Sequence, residues 1–226
     1  MKLLLFDIDG TLIHSGGAGK RAMERSFEKV YGIPHGLRDI SLMGRTDPAI
    51  LKEALEKQNL PWGEAGAERF REYYFFYLDE ELEIPNEDKR IYPGVQPLLA
   101  AFDEKPDVEL GLLTGNWRYG AFLKLHSFGI EGYFPFGAYA DDSEDRNQLV
   151  PVAMERFKRQ HGAGISPNDV YVIGDTPLDI RCAKPHNCRT VAVATGGHSV
   201  EQLAEFQPDF LFSDLTDLSG VLRILN

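Results

Sequence analysis

The feature that most constrains the fold of this chain is a series of short apolar runs, each ending at a polar or glycine-containing segment. The runs have the length of strands and do not alternate between apolar and polar residues, which is typical of strands buried on both faces of a parallel sheet. Amphipathic helix patterns separate most of them, so the sequence predicts a doubly wound α/β domain with a mostly parallel sheet. The runs are Leu3–Phe6, Val108–Leu113, Val170–Ile173, Val191–Ala194 and Phe210–Phe212.

One long segment between the first two runs breaks this rhythm and has mostly helical patterns. We predict a small all-helical domain of residues 15–90, inserted into an α/β core formed by residues 1–14 and 91–226. The aromatic residues between positions 70 and 77 have helical spacing and fit the core of this inserted domain. The predicted helices run from 18 to 31, from 46 or 47 onward, and from about 63 to 82.

Composition limits the classes of partner. The chain has 24 basic and 35 acidic residues, a net charge of −11, which disfavours general binding to nucleic acid or to an anionic membrane. The two cysteines, Cys182 and Cys188, do not form a disulfide scaffold and fit a reducing compartment. No run approaches the roughly 20 apolar residues of a membrane span. We therefore expect a cytoplasmic protein that acts on a small anionic molecule, with no protein partner implied.

Two pairs of aspartates follow the ends of predicted strands. Asp7 and Asp9 are two residues apart, so extended backbone aims both side chains the same way. At about 4 Å and an effective dielectric constant near 20, their repulsion is on the order of 4 kcal/mol, which a purely structural role rarely justifies. Asp175 follows another strand, and Asp179 lies one helical turn later. Capping of helices and turns accounts for one such pair, whereas the two together predict a hard divalent cation, most simply Mg²⁺.

Candidate phosphate ligands follow other strand ends. The segment at positions 114–116 lies at a predicted helix N-terminus, where its backbone N–H groups and its hydroxyl can bind a phosphate group. Gly10 lets the backbone approach a ligand closely. Arg146 precedes a predicted helix and can pair bidentately with a phosphoryl group, although a local salt bridge with an acidic residue between positions 142 and 145 explains it as well. The short segment consists of Thr114, Gly115 and Asn116.

Four features of the sequence, taken in order, resemble the motifs of the haloacid dehalogenase-like (HAD) hydrolase superfamily. They are DIDGT, Thr114, a basic residue before a helix, and GDTPLD. The resemblance covers nearly the whole chain and implies a Rossmann-like core with a helical cap. It also implies that Asp7 attacks phosphorus to form an aspartyl-phosphate, and that Asp9 protonates the leaving oxygen and then deprotonates water. In that family Mg²⁺ would be held by Asp7, the backbone carbonyl of Asp9 and Asp175, with support from Asp179.

The same resemblance assigns the remaining site residues. Thr114 and Arg146 would bind the transferring phosphoryl group, although the family more often has lysine at the second position. Arg45, in the segment MGRTD, resembles the substrate-contacting cap loop of phosphoglycolate phosphatase-like and β-phosphoglucomutase-like members. It would hold the non-transferring end of an anionic substrate, and a solvated surface arginine is the alternative. Asp9 favours phosphoryl transfer over dehalogenation, because halide leaves without a proton.

The expected function is therefore that of a Mg²⁺-dependent phosphatase of a small phosphorylated metabolite, of the phosphoglycolate or sugar-phosphate class. A β-phosphoglucomutase-like phosphomutase is the alternative, because an aspartyl-phosphate can also be passed to a substrate hydroxyl. A non-enzymatic phospho-acceptor domain is a further alternative, which the length of the chain, its helical insertion and the D-x-D-G-T motif disfavour. A binding module is another, which the complete set of catalytic acids disfavours.

Overall fold

The computed structural model describes residues 1–225. Its main sheet has six strands in the order β5-β4-β1-β6-β7-β8, and every neighbouring pair is parallel. This confirms the predicted fold class. Each predicted apolar run forms a strand, whereas the short strand β5 was not predicted. The strands of the chain are β1 (Lys2–Phe6), β2 (Ile13–His14), β3 (Arg90–Ile91), β4 (Val108–Leu113), β5 (Phe136–Ala138), β6 (Val170–Gly174), β7 (Arg189–Val193) and β8 (Phe210–Phe212).

The helices divide between the cap and the core. The first three lie in the segment between β2 and β3, and the other six follow β3. They are α1 (Ala18–Tyr31), α2 (Asp47–Lys57), α3 (Glu64–Glu83), α4 (Val95–Asp103), α5 (Arg118–His126), α6 (Leu149–His161), α7 (Pro177–Ala183), α8 (Val200–Ala204) and α9 (Leu218–Leu222). Within residues 1–225, no helix is both long enough and apolar enough to cross a bilayer.

Both faces of the main sheet are buried, and this explains why its strands do not alternate. In β1, Leu4 and Phe6 belong to one apolar cluster, which also contains side chains of α4, α5 and α9. Leu3 and Leu5 belong to a second cluster, with side chains of α6 and α7. Successive side chains of a strand point to opposite faces. Positions 3 to 6 of the strand are therefore all apolar, because helices cover the sheet on both sides.

The helices α1, α2 and α3 pack around an apolar cluster of their own. Helix α1 ends at Gly32, which has φ of 72° and donates its N–H to the carbonyl of Glu28, as expected for a glycine C-cap. The two ends of the helical segment meet in an antiparallel pair, in which Ile13 faces Ile91 and His14 faces Arg90.

This pair supports the division between a core of residues 1–14 and 91–226 and a cap of residues 15–90, which we retain as a proposal. The last residue of the predicted core, Asn226, lies outside the described residues.

Candidate active site

The sheet order brings the acidic motifs to one edge. Strand β1 lies between β4 and β6, and the three strands are parallel, so their carboxyl ends are neighbours. Asp7 follows β1, Thr114 follows β4 and Asp175 follows β6. A cavity of about 490 Å³ lies at this edge, and both core and cap residues line it. Asp7, Thr114 and Asp175 therefore lie at one edge of the sheet, which is where parallel α/β sheets bind ligands.

Three buried carboxyl groups meet beside the cavity. Asp7, Asp175 and Asp179 each offer an oxygen, and these oxygens lie within 4.8 Å of one another. Burial raises the pKa of Asp7 to about 6, against the opposing effect of Arg146, and it raises the pKa of Asp175 well above its ordinary value. Buried carboxylates at this spacing need positive charge, and oxygen donors are the ligands that Mg²⁺ prefers. The donor set fits the predicted cation.

Two glycines bring backbone against the carboxylate of Asp175. A Cβ atom at Gly10, whose φ is +89°, would lie 2.4 Å from Asp175 Oδ2, and one at Gly196 would lie 1.8 Å from the same oxygen. Real Cβ atoms do not approach so closely, so both positions require glycine in this conformation. Thr11 completes the setting, because its hydroxyl donates to Asp175 Oδ1 at 3.1 Å. Asp175 is thereby held in one orientation.

The guanidinium of Arg146 lies among the acids of the site. Its Nη2 is 2.5 Å from Asp179 Oδ1 and 3.2 Å from Asp7 Oδ1, and the side chain is 7% exposed. Asp142, one of the acids in the local alternative, pairs instead with Arg156. Arg146 is therefore not held by the acidic residues at 142–145. It contributes a permanent positive charge beside Asp7.

The carboxylate of Asp179 is fully engaged by protein donors. Its Oδ1 accepts from Arg146, and its Oδ2 accepts from the backbone N–H of Thr176 at 3.0 Å and from the Thr176 hydroxyl at 2.7 Å. These last two contacts cap the start of α7. Asp179 thus fixes Arg146 with one oxygen and the helix terminus with the other, in addition to lying within reach of a cation at Asp7 and Asp175.

The side chain of Asp9 points to a different set of partners. Asp9 Oδ2 lies 2.5 Å from Lys124 Nζ and 2.9 Å from Asn116 Nδ2. Asn116 in turn accepts from Lys124 at 2.6 Å and donates to the Thr114 hydroxyl at 2.8 Å. Asp9 therefore has different hydrogen-bond partners from the three clustered carboxyl groups. Its side chain belongs to a polar network that connects the end of β4 with α5.

Comparison with known proteins agrees with this geometry. The family model for haloacid dehalogenase-like hydrolases matches residues 4–193, which is most of the chain. The chain belongs to the haloacid dehalogenase-like hydrolases. A phosphoglycolate phosphatase of Haemophilus influenzae is 25% identical over 227 residues, covering 98% of each chain. The pyrophosphatase PpaX of Oceanobacillus iheyensis is 24% identical over 225 residues, covering 98% of this chain and 97% of its own length.

The fold is also found in solved structures. The crystal structure of a predicted phosphoglycolate phosphatase from Haemophilus somnus superimposes on this chain with a TM-score of 0.72, at 21% identity, over 98% of each chain. The predicted family and the predicted fold class are both confirmed. As a member of this family with relatives named as phosphatases, the chain is an enzyme of the HAD phosphatase type.

The cap of this HAD enzyme contacts the segment after β4 that the sequence predicts to bind phosphate. The N–H of Asp47, at the start of α2, donates to the Gly115 carbonyl at 2.7 Å, and Asp47 Oδ2 accepts from the Trp117 N–H at 2.8 Å. A Cβ atom at Gly115 would lie 2.1 Å from the carbonyl oxygen of Arg45. Burial raises the pKa of Asp47 to about 7, although Lys124 opposes this. The absence of a side chain at Gly115 permits this close approach of cap and core.

The position of Arg45 differs from the expected one. Arg45 is one of the residues that line the cavity, but its guanidinium pairs with Glu53 and donates to the carbonyls of Ala49 at 3.1 Å and Ser41 at 3.3 Å. All these partners belong to the cap. A substrate contact by the Arg45 side chain would require it to leave Glu53, so its proposed role stays a prediction.

Sequence reasoning missed several residues of the site. Lys124 is the most informative, because a lysine beside Leu125 on the buried face of α5, eight residues after Asn116, is a recognisable signal. Tyr74 was assigned to the cap core, and it does pack there, but it also lines the cavity. Asp47 was predicted only as a possible start of the second helix. For Gly196 the sequence contains no comparable signal.

Proposed function

We propose that this HAD enzyme is a Mg²⁺-dependent phosphatase that hydrolyses a small phosphorylated metabolite through an aspartyl-phosphate on Asp7. The observation that carries the proposal is the position of Asp7, which is buried, within reach of a cation shared with Asp175, and 3.2 Å from Arg146. A carboxylate there can attack phosphorus only if positive charge offsets the repulsion between two anions. Arg146 supplies part of that charge.

The metal ligands in this proposal are Asp7, Asp175, Asp179 and the backbone carbonyl of Asp9. When bound, Mg²⁺ supplies charge neutralisation and orients the phosphoryl oxygens. Asp7 and Asp175 hold the cation with carboxylate oxygens. Asp179 contributes either directly or by fixing Arg146, since both of its oxygens already accept hydrogen bonds from protein donors.

Asp9 is the proposed general acid and base. Its Oδ2 is held by Lys124 and Asn116, while no donor within residues 1–225 reaches Oδ1, and the side chain is 42% exposed toward the cavity. Oδ1 is therefore the atom that gives a proton to the leaving oxygen and later takes one from water. A carboxyl group positioned in this way accelerates such a step by roughly 10²–10⁴-fold.

The phosphoryl group is proposed to lie against the loop ends. Thr114 offers its hydroxyl, Gly10 and Gly115 offer backbone that can approach closely, Asn116 offers its N–H and side-chain amide, and Arg146 offers its guanidinium. The cavity of about 490 Å³ accommodates a metabolite rather than a phosphoprotein segment. Phosphoglycolate and sugar phosphates are the candidate substrates, and the relative named as a pyrophosphatase adds pyrophosphate. Arg45 remains a candidate contact for the non-transferring end.

The proposal is tested by measuring phosphate release from p-nitrophenyl phosphate and a panel of small phosphoesters, with Mg²⁺ and with a chelator. We expect turnover that needs Mg²⁺, is lost in Asp7→Asn and is kept in Asp103→Asn, a matched change at an exposed position on α4. Equal turnover by Asp7→Asn and the parent protein would contradict the proposal. A requirement for a bisphosphorylated activator would favour the phosphomutase alternative.

A further inference from the structure

A second polar cluster lies on the cap side of Asp9. Lys124 and Tyr74 both line the cavity, and both lie against Gly19 of α1. A Cβ atom at Gly19 would be 3.3 Å from Lys124 Nζ and 3.9 Å from the Tyr74 hydroxyl oxygen. Segments of α1, α3 and α5 therefore meet at this point. None of these groups has a role in the phosphoryl chemistry proposed above, apart from the contact of Lys124 with Asp9.

The hydroxyl of Tyr74 has no hydrogen-bond partner within residues 1–225, and the side chain is fully buried. Buried polar groups are nearly always paired, and an unpaired one destabilises the fold. Burial raises the pKa of Tyr74 well above its ordinary value, and the charges of Asp47 and Asp9 act in the same direction, so the hydroxyl keeps its proton. An acceptor from a bound molecule would satisfy this donor.

The ammonium group of Lys124 also has donor capacity left. An ammonium has three N–H donors. One of these is directed to Asp9 Oδ2 and one to Asn116 Oδ1, and the side chain is only 5% exposed. A buried lysine in a cavity wall with a remaining donor can bind an anion, and it does so as a compact point charge.

The first turn of α1 adds further donors to the same region. This 14-residue helix begins after Gly17, which provides no side-chain cap, and Gly17, Gly19 and Lys20 line the cavity. Within residues 1–225, no acceptor reaches the backbone N–H groups of Gly19 and Lys20. The unpaired N–H groups and the helix dipole favour negative charge at this end of the helix.

The distribution of side-chain charge is consistent with an anion here. The exposed ammonium of Lys20 has one acidic neighbour, Glu24, at 4.0 Å. Arg45 is paired with Glu53, and Arg146 is paired with the acids around Asp7. The other cations that line the cavity are Lys124, Lys20 and Arg90, and Arg90 donates to the nearby carbonyl of Asp88.

We propose that Lys124, Tyr74 and the first turn of α1 form a subsite for a negatively charged leaving group. The inference rests on the proposed phosphatase function and narrows its substrate class to small phosphoesters or phosphoanhydrides whose leaving group carries a carboxylate or a second phosphate. A neutral polyol, such as a sugar, would leave Lys124 and the helix terminus without a charged partner. In this proposal the groups next to Asp9 select for negative charge on the leaving group, whether or not Arg45 also contacts it.

The test compares three substrates of similar size: 2-phosphoglycolate, pyrophosphate and 2-hydroxyethyl phosphate, whose leaving groups carry a carboxylate, a phosphate and no charge. Of the two charged substrates, we expect the one with the higher kcat/KM to exceed the neutral substrate by about tenfold or more. Which of the two this is shows whether the subsite prefers a carboxylate or a phosphate. Tyr74→Phe should reduce kcat/KM for that substrate by roughly tenfold, as expected for loss of one hydrogen bond to a charged group. Turnover of the neutral substrate should change by less than about twofold.

The control is Tyr73→Phe, which removes a hydroxyl from the neighbouring tyrosine of α3, a residue that does not line the cavity. It should leave all three rates unchanged. Lys124→Met is expected to slow every substrate, because Lys124 also holds Asp9, and in addition to abolish the preference for charge. The inference is overturned if the parent enzyme shows no such preference, or if Tyr74→Phe affects charged and neutral substrates equally.

Failure of the phosphatase proposal gives a different result. In that case no phosphoester in the panel is turned over with Mg²⁺. The binding of the three substrates to the Asp7→Asn protein, measured by calorimetry, then tests the inference. Tighter binding of 2-phosphoglycolate or pyrophosphate than of 2-hydroxyethyl phosphate, weakened by Tyr74→Phe, would support the subsite. Equal binding of the three would reject it.

Discussion

The ammonium of Lys124 lies 2.5 Å from the carboxylate of Asp9, although 115 positions separate the two residues in the chain. Helix α5 supplies the lysine and the loop after β1 supplies the aspartate, and Asn116 bonds to both. The pair fixes one oxygen of Asp9 and leaves the other toward the cavity. In the proposed mechanism, this arrangement orients a single carboxyl group for proton transfer beside, but apart from, the acids proposed to hold a cation.

The first prediction concerns Asp9. Replacement by asparagine should reduce kcat for alkyl phosphates by about 10²–10⁴-fold, because the leaving alkoxide then receives no proton. The loss should be much smaller for release of nitrophenolate from p-nitrophenyl phosphate, since that leaving group is stable as an anion. Single-turnover release rates of the two leaving groups check this. An equal loss for both would show that Asp9 does not act as the acid.

The second prediction concerns the contact of cap and core. Gly115→Ala would place a Cβ atom 2.1 Å from the Arg45 carbonyl oxygen, so the cap loop must move. We expect the free energy of unfolding to fall by about 1–3 kcal/mol, as for other overpacked positions, together with a lower kcat/KM. Gly132→Ala is the matched control, because a Cβ there meets nothing within 4 Å. Denaturant unfolding of both variants measures the difference, and identical stability of the two would contradict the described contact.

The third prediction follows from the buried carboxyl of Asp47. Its pKa of about 7 in the folded protein exceeds the ordinary value of 3.8. Between these two pH values the carboxyl of Asp47 holds a proton in the folded state that it has released in the unfolded state. Its contribution to the free energy of unfolding therefore falls as the pH rises from 3.8 to about 7. The effect is on the order of 4 kcal/mol when complete.

Asp47→Asn removes this titration and keeps an oxygen that can accept from the Trp117 N–H. The stability of the variant relative to the parent protein should therefore increase between pH 4 and pH 7. Urea unfolding of both proteins across this range tests it. A difference that is independent of pH would show that Asp47 is ionised in the folded state throughout.

The fourth prediction concerns the affinity for metal. Because burial raises the pKa of Asp7 to about 6, Mg²⁺ must displace a proton from this site in more acidic solution. For each proton that Mg²⁺ displaces, its dissociation constant should rise by up to about tenfold per pH unit below 6. The stabilisation of the fold by a fixed Mg²⁺ concentration should be larger at pH 7.5 than at pH 5, as thermal unfolding can show. Asp7→Asn should weaken both the stabilisation and its dependence on pH.

Much of the fold was predictable because its signals are local. The apolar run Leu3–Phe6 needs helices on both sides, and Gly32 ends α1 through its own backbone conformation. Strand β5 was missed because three residues, Phe136–Ala138, give too short a pattern. The acids Asp7 and Asp175 were found because parallel neighbouring strands end at the same edge.

The rest of the site depends on packing between distant segments. Arg146 contacts Asp179 of α7 and the Leu113 carbonyl at the end of β4, and sequence spacing does not predict this packing. Lys124 and Tyr74 become neighbours only when the cap helix α3 packs on α5. The pairing of Arg45 with Glu53 is local to the cap, at a separation of eight residues that spans a loop and a helix. Such contacts become visible only in the folded chain.

The most direct measurement locates the phosphoryl group during turnover. The Asp9→Asn protein, in which breakdown of the intermediate should be slow, is mixed with p-nitrophenyl phosphate and Mg²⁺, quenched in acid and mapped by mass spectrometry. We expect one phosphoryl group per chain on the peptide that contains Asp7, and none when Mg²⁺ is chelated. Nitrophenol release by this protein with no phosphorylated Asp7, or with the phosphoryl group on another residue, would contradict it.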